Sequence, residues 1–216
     1  MPNFTDLTGL ASVAGAASAF LLLLPGIVSL SRPRLAMLLG AVFVLMLIPF
    51  GGMPLAAYVR GATGDLSITT MVLLWCALPK NFWPDTRLKP SFGATDARSR
   101  QALLILIALA ALALYPMALG VGAFDPYRLG YGDPLFVTSL LLLTLAAWFW
   151  KFFLIALCIA FATLAWVVGW YESSNLWDYL LDPFVAIYAL AAIMTRALRA
   201  QFQRHRSRGS QPPLPG

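Results

Sequence analysis

Apolar residues run through this chain in long stretches separated by short polar links. A bilayer core about 30 Å thick calls for about 20 apolar residues per helix, with about 17 as a practical minimum. By that measure residues 7–30 predict a first membrane span, 35–50 a second, 66–79 a short third and 101–121 a fourth. The stretch 134–170 is apolar throughout except for Lys151. As one helix it would be roughly 55 Å long at 1.5 Å per residue, more than a bilayer needs. Two spans, 134–149 and 152–170, joined by a tight turn at Trp150 and Lys151, fit better, although neither Gly nor Pro marks that turn. Residues 182–198 predict the last span. The expected fold is an all-α, polytopic bundle of about seven spans within residues 1–200, or six if the third run only dips into the membrane. Residues 201–216, basic and then rich in Pro and Gly, are expected to be a disordered tail.

The links give an independent reading of the same spans. With residues 31–34 inside the cell, every Lys and Arg falls on the inner side except Arg60 and Arg128. The acids divide the other way, and only Asp85 and Asp96 are inside. Basic residues in short loops resist translocation and set orientation. The expected topology has the N-terminus outside and the C-terminus in the cytoplasm, at a plasma membrane (the inner membrane if the source is bacterial). Residues 1–10 carry Asp6 and no Lys or Arg, so they lack the positive region of a cleavable signal, and the first run is expected to stay.

Composition agrees. Of 216 residues, 60% are hydrophobic and 11% charged, against about 45–50% and about 25% for a soluble domain. A soluble fold of this size has too much surface for its volume to hide the surplus. The net charge of +6 is spread over the links, which argues against nucleic acid as a partner. Cys76 and Cys158 lie inside apolar runs and read as small buried hydrophobes, with no metal motif and no disulfide framework. His205, the single histidine, falls in the tail.

Several local devices stand out. Asp133-Pro134 and Asp182-Pro183 each precede an apolar run, where Asp caps free amides and Pro suits the first helical position. Asp65 is expected to cap the third run in the same way. Ala11, Gly15 and Ala19 lie four apart on the first span, a spacing that allows close packing of membrane helices. Pro25 and Pro116 are expected to kink their helices. Residues 54–60 suggest a short interfacial helix. Trp75, Phe82, Trp83, Trp148, Phe149 and Trp150 read as headgroup anchors. Trp170, Tyr171, Trp177 and Tyr179 read either as anchors or as a carbohydrate-stacking platform.

No span interior carries a charge unless Lys151 or Arg196 is drawn inward, which counts against proton relays and ion pathways. No nucleotide, metal-hydrolase or nucleophile motif is present, and neither a cofactor nor a metal is expected. Polar chemistry concentrates in three outer links, 51–65, 123–133 and 171–182. They carry Arg60, Asp65, Asp125, Tyr127, Arg128, Tyr131, Glu172, Asn175 and Asp178. These residues form either a structural network, with Arg128 paired to Asp125, or a site for a phosphate or sugar headgroup. Arg60 and Arg128 carry the stronger functional expectation because they break the charge rule of their side. The inner link 80–100 is expected to lie on anionic lipid. Two functions follow: a non-catalytic membrane subunit that packs with other membrane subunits and presents its outer loops to a partner, or a membrane enzyme or carrier for a lipid-linked or sugar substrate, with a lipid or glycan bound at the outer face.

Overall fold

A computed structural model describes residues 4–24, 27, 30–76 and 97–209, with the side chains of Leu23 and 204–209 excluded. Pro25, Phe82, Trp83, most of the 80–100 link and residues 210–216 therefore lie outside the described residues. Helix makes up 79% of the structure, as the all-α expectation requires. Among the described residues the strands are β1 (Pro49–Phe50) and β2 (Met53–Pro54), a minimal hairpin turning on Gly51 and Gly52. Both glycines have positive φ, 64° and 100°, which is what a tight two-residue hairpin turn demands.

Helix α1 (Phe4–Phe20) ends in a 3-10 turn, Leu21–Leu23. Leu24 then goes extended, at φ −79° and ψ 133°, because a residue before proline is driven out of the helical region. Helix α2 (Arg32–Leu47) packs on α1 and buries only Leu35. The short α3 (Leu55–Thr63) falls where a short helix is expected, near 54–60, and α4 (Ile68–Cys76) carries most of the described part of the third run. Helix α5 (Ala97–Ala118) keeps Pro116 in its last turn. Helices α6 (Pro134–Phe149) and α7 (Phe153–Val167) form an adjacent pair. The short α8 (Leu176–Leu180) precedes α9 (Pro183–Gly209), which packs on α5. The tail expected to be disordered from residue 201 is instead helical through Gly209. Gln and Arg are good helix formers, and nothing breaks the helix before that glycine.

The turn dividing α6 from α7 falls at Trp150–Phe152, where the pattern placed it. Lys151 takes φ +62°, a left-handed conformation usually given to Gly or Asn. The amides of Lys151 and Phe152 reach back to the carbonyls of Trp148 and Ala147 at 3.0 and 2.7 Å. Phe152 cannot cap α7 with its own side chain, and Ser99 of α5, fully buried, accepts from the Leu154 amide at 3.1 Å. The guanidinium of Arg98 lies 5.0 Å over the Phe152 ring. Trp148, Phe149 and Trp150 are exposed around this turn.

Two helical segments, Ala97–Ala118 and Pro183–Gln203, are long and apolar enough to cross a membrane. Helices α6 and α7 are as apolar but shorter, at 16 and 15 residues. The run 134–149 is itself only 16 residues, and the run 152–170 takes in capping and turn residues on either side of α7, so neither gives a helix as long as the two above. Only 33% and 17% of the two long apolar windows are buried within the protein. The main core lies between α5, α7 and α9, with Leu104, Ile107, Leu154, Cys158, Val185 and Ala189 at its centre. Cys158 is buried as expected, but Cys76, at the end of α4, is exposed.

Candidate functional site

Nearly all the long-range polar contacts gather at one end of the bundle. There the start of α1, the α3–α4 link, the 3-10 turn Pro126–Tyr131 and the α7–α8 link come together. The nine residues singled out from the sequence fall into two groups.

The first is built around Arg60, in the last turn of α3. Its Nε and Nη2 grip both oxygens of Asp65 at 2.6 and 2.9 Å. Asp6 of α1 lies 3.5 Å from Nη1, and Glu172 lies 3.5 Å from Nη2. One cation thus holds three carboxylates from three parts of the chain. The Asp65 hydrogen bond comes first in raising the Arg60 pKa above its ordinary value, against burial, and the charges of Asp65 and Glu172 add to it. Gly9 makes the space: a Cβ there would stand 2.7 Å from Cζ of Arg60. Asp65, expected to cap α4, is therefore committed to Arg60. Ser67 does the capping, its Oγ accepting from the Thr70 amide at 3.2 Å. The signal was present as a Ser one residue inside the apolar run, directly before the helix itself.

The second group surrounds the α7–α8 link. Asn175, fully buried, caps α8 by accepting from the Trp177 amide at 2.9 Å, and its Nδ2 donates to the Tyr127 carbonyl at 2.9 Å. Tyr127 donates its hydroxyl to Asp178 at 2.9 Å, and Ser173 donates to the same carboxylate. Asp125 accepts from the Tyr127 amide at 3.0 Å. Tyr131 is exposed and meets the Tyr127 ring edge-on at 6.0 Å. The expected Arg128–Asp125 pair does not form, and Arg128 is exposed with no carboxylate in salt-bridge range among the described residues.

The aromatic platform does not form either. Tyr171 and Tyr179 are 2% and 0% exposed and stack at 5.1 Å. Trp177 leans on Phe136 and donates Nε1 to the Pro126 carbonyl at 3.0 Å. Trp170 donates to Ser12 Oγ at 3.2 Å, and its carbonyl accepts from Thr8. With both tyrosines buried and both tryptophans half-buried and hydrogen-bonded internally, the four rings present no shared face to a sugar.

Asp182 joins the helices beneath. It is 3% exposed. Its Oδ1 caps α9 at the Val185 amide (2.9 Å), and its Oδ2 accepts from the Ser67 amide (2.9 Å), the Ser67 hydroxyl (2.7 Å) and Thr70 Oγ1. Asp133 caps α6 at the Phe136 amide, 3.0 Å away. Both Asp-Pro devices therefore act as the sequence indicates. On α1, Gly15 faces Met71 Cε, and Ala19 packs with Leu22 and Leu35. Ala11 is half-buried.

Burial pushes the Tyr171 hydroxyl up to about 12. It also raises Tyr127, helped by the Asp178 charge, and Tyr179. A folded pKa above the free tyrosine value of about 10 adds stability in full below that pH and loses it as pH rises toward 12. Chemical denaturation is therefore expected to show stability falling between about pH 10 and 12, with a shallower fall in Tyr171→Phe. Equal slopes in the two proteins would refute this.

Chemically, this end of the bundle is a clasp. Its carboxylates accept from internal donors, and Arg60 sits in net negative surroundings that repel an anionic headgroup. The class so defined is an all-α protein with two helices able to cross a membrane. No family model, curated protein or solved structure matches the chain.

Proposed function

We propose that this chain is a multi-pass membrane protein working as a non-catalytic subunit, which packs against other membrane helices and turns its outer loops toward a partner. In this reading all seven apolar runs belong to the membrane domain. The clasp lies outside the cell, the C-terminus is cytoplasmic, and the bilayer is the plasma membrane. The observation that carries it is how the chain spends its polar and apolar groups. Most polar side chains of the three outer links, Arg128 apart, are held within the protein, while large apolar side chains such as Leu112, Leu135, Leu145 and Val167 are exposed. An apolar surface of that extent marks contact with lipid or with another protein.

Helix α2 offers one face to a neighbour, with Met37, Val44 and Leu45 exposed beside Gly40 and Ile48 exposed just past its end. A Cβ at Gly40 meets no atom within 4 Å, so a side chain added at position 40 starts out in open space. We expect a stoichiometric membrane protein to co-purify in mild detergent and to be lost from Gly40→Phe. We also expect an N-terminal tag to be labelled in intact cells and a C-terminal tag to be protected. A chain that purifies alone and stays soluble without detergent would end this reading.

The second reading, an enzyme or carrier for a lipid-linked or sugar substrate, keeps one supporting observation, the exposed Arg128. If Arg128→Ala abolished a cellular phenotype without loss of co-purification, this reading would displace the first.

A further inference from the structure

A cleft of about 370 Å3 opens between α1, α3, α4 and α9, within the range of about 300–1,000 Å3 typical of small-ligand sites. Along α1 it is lined from Val13 to Phe20, about 10 Å at 1.5 Å per residue. Leu73, Leu74 and Phe184 line it further, and its walls are almost wholly apolar. Arg100, near the start of α5, is the one charged residue in the lining, and its Nη2 donates to the Tyr188 hydroxyl at 2.6 Å. Both residues are exposed as well as lining the cleft, which puts this polar pair at its rim. An apolar slot with a guanidinium and a phenol on it matches an acyl chain carrying an anionic phosphate. Arg binds phosphate through a planar fork of donors, and the Tyr hydroxyl fixes the direction of that fork.

We propose that this cleft is a binding site for one anionic phospholipid of the inner leaflet. An acyl chain lies along Val13, Ala17 and Leu74, and the phosphate rests on Arg100 beside Tyr188. The proposal rests on the membrane reading above, which places the start of α5 on the cytoplasmic side, where anionic lipid concentrates. It is separate from the outer clasp and explains why a basic residue borders an apolar cavity.

The full chain, reconstituted in nanodiscs of phosphatidylcholine with a minor share of phosphatidylglycerol, tests it by native mass spectrometry of the lipid retained after release. Wild type is expected to retain one phosphatidylglycerol in preference to phosphatidylcholine. Arg100→Gln should cut that preference about tenfold, the effect of losing one charge-assisted hydrogen bond, and Arg100→Lys should restore part of it. Ala17→Phe, which fills the slot, should lower retention of either lipid. Equal retention of the two lipids, an unchanged preference in Arg100→Gln, or retention of free fatty acid alone would overturn the site while leaving the membrane reading standing. Failure of the wild type to enter nanodiscs would overturn the membrane reading itself.

Discussion

Replacing Asp182 with alanine is expected to cost the fold about 3–5 kcal/mol, the sum of a lost helix cap and several stranded buried donors. The cap at Val185 accounts for about 1 kcal/mol. The larger part comes from Ser67, which is 0% exposed. Both its amide and its hydroxyl rest on Oδ2 of Asp182, and a buried donor left without an acceptor costs about 1–3 kcal/mol. Thr70 escapes this cost, since its hydroxyl lies 3.2 Å from Ser67 Oγ and can turn to it. Asp182→Asn should fall between, because its amide keeps one acceptor oxygen and the two hydroxyls can rotate to receive its N–H groups. Unfolding titrations in detergent micelles measure both. A loss in Asp182→Ala within the 0.5 kcal/mol or so usual for surface positions would show that Asp182 does not join α4 to α9.

Arg60→Ala should be the next most damaging change, at about 2–3 kcal/mol. Most of this belongs to the two-pronged bond with Asp65, whose side chain, like that of Arg60, is largely shielded, at 19% and 15% exposure. Glu172 and Asp6 are 59% and 37% exposed, and such pairs contribute about 0–1 kcal/mol each. Without the cation, three carboxylates face one another across a small space. Gly9→Leu should do similar harm by displacing the guanidinium from the other side. The two changes are therefore expected to be non-additive, with a coupling of about 1 kcal/mol or more in a double-mutant cycle. Strict additivity would show that Gly9 does not make room for Arg60.

These expectations bear on function as well as stability. Arg60 attracts notice in the sequence because it breaks the charge rule of its side, and the structure shows what it holds. Three carboxylates around one guanidinium bind the start of α1, the α3–α4 link and the α7–α8 link at a single point. A residue so engaged has at most one of its five N–H donors left for a substrate. Arg128, which attracts notice on the same grounds, has no such partner among the described residues. Of the two, Arg128 is the residue whose substitution can change an activity without loosening the fold.

What was legible beforehand follows from the range of the forces involved. The caps at Asp133 and Asp182 could be read directly, because a cap acts within three residues of itself. The turn at Lys151 could be read from length alone, without the glycine that usually marks it. Asp65 was misassigned because its position before an apolar run resembles a cap, whereas Arg60, five residues back, offers a full charge that a backbone amide cannot match. The proposed aromatic platform failed for a related reason. Tyr171, Trp177 and Tyr179 look exposed in a polar link, but the fold turns the two tyrosines inward, where Phe136 and Trp166 pack on them, and sets Trp177 against Phe136.

The sequence by itself determined that the chain is helical, that its helices are apolar enough to turn much of their surface outward, and where several of them begin and turn. Those properties follow from composition, run length and capping, each decided by neighbours along the chain. Only the tertiary structure decided which carboxylates Arg60 holds, that Ser99 caps a helix other than its own, that Asp182 serves two helices, and that Arg100 and Tyr188 border one cleft. Each of these joins residues far apart in sequence, and a hydrogen bond or a cavity depends on where side chains meet in space, which no local pattern records.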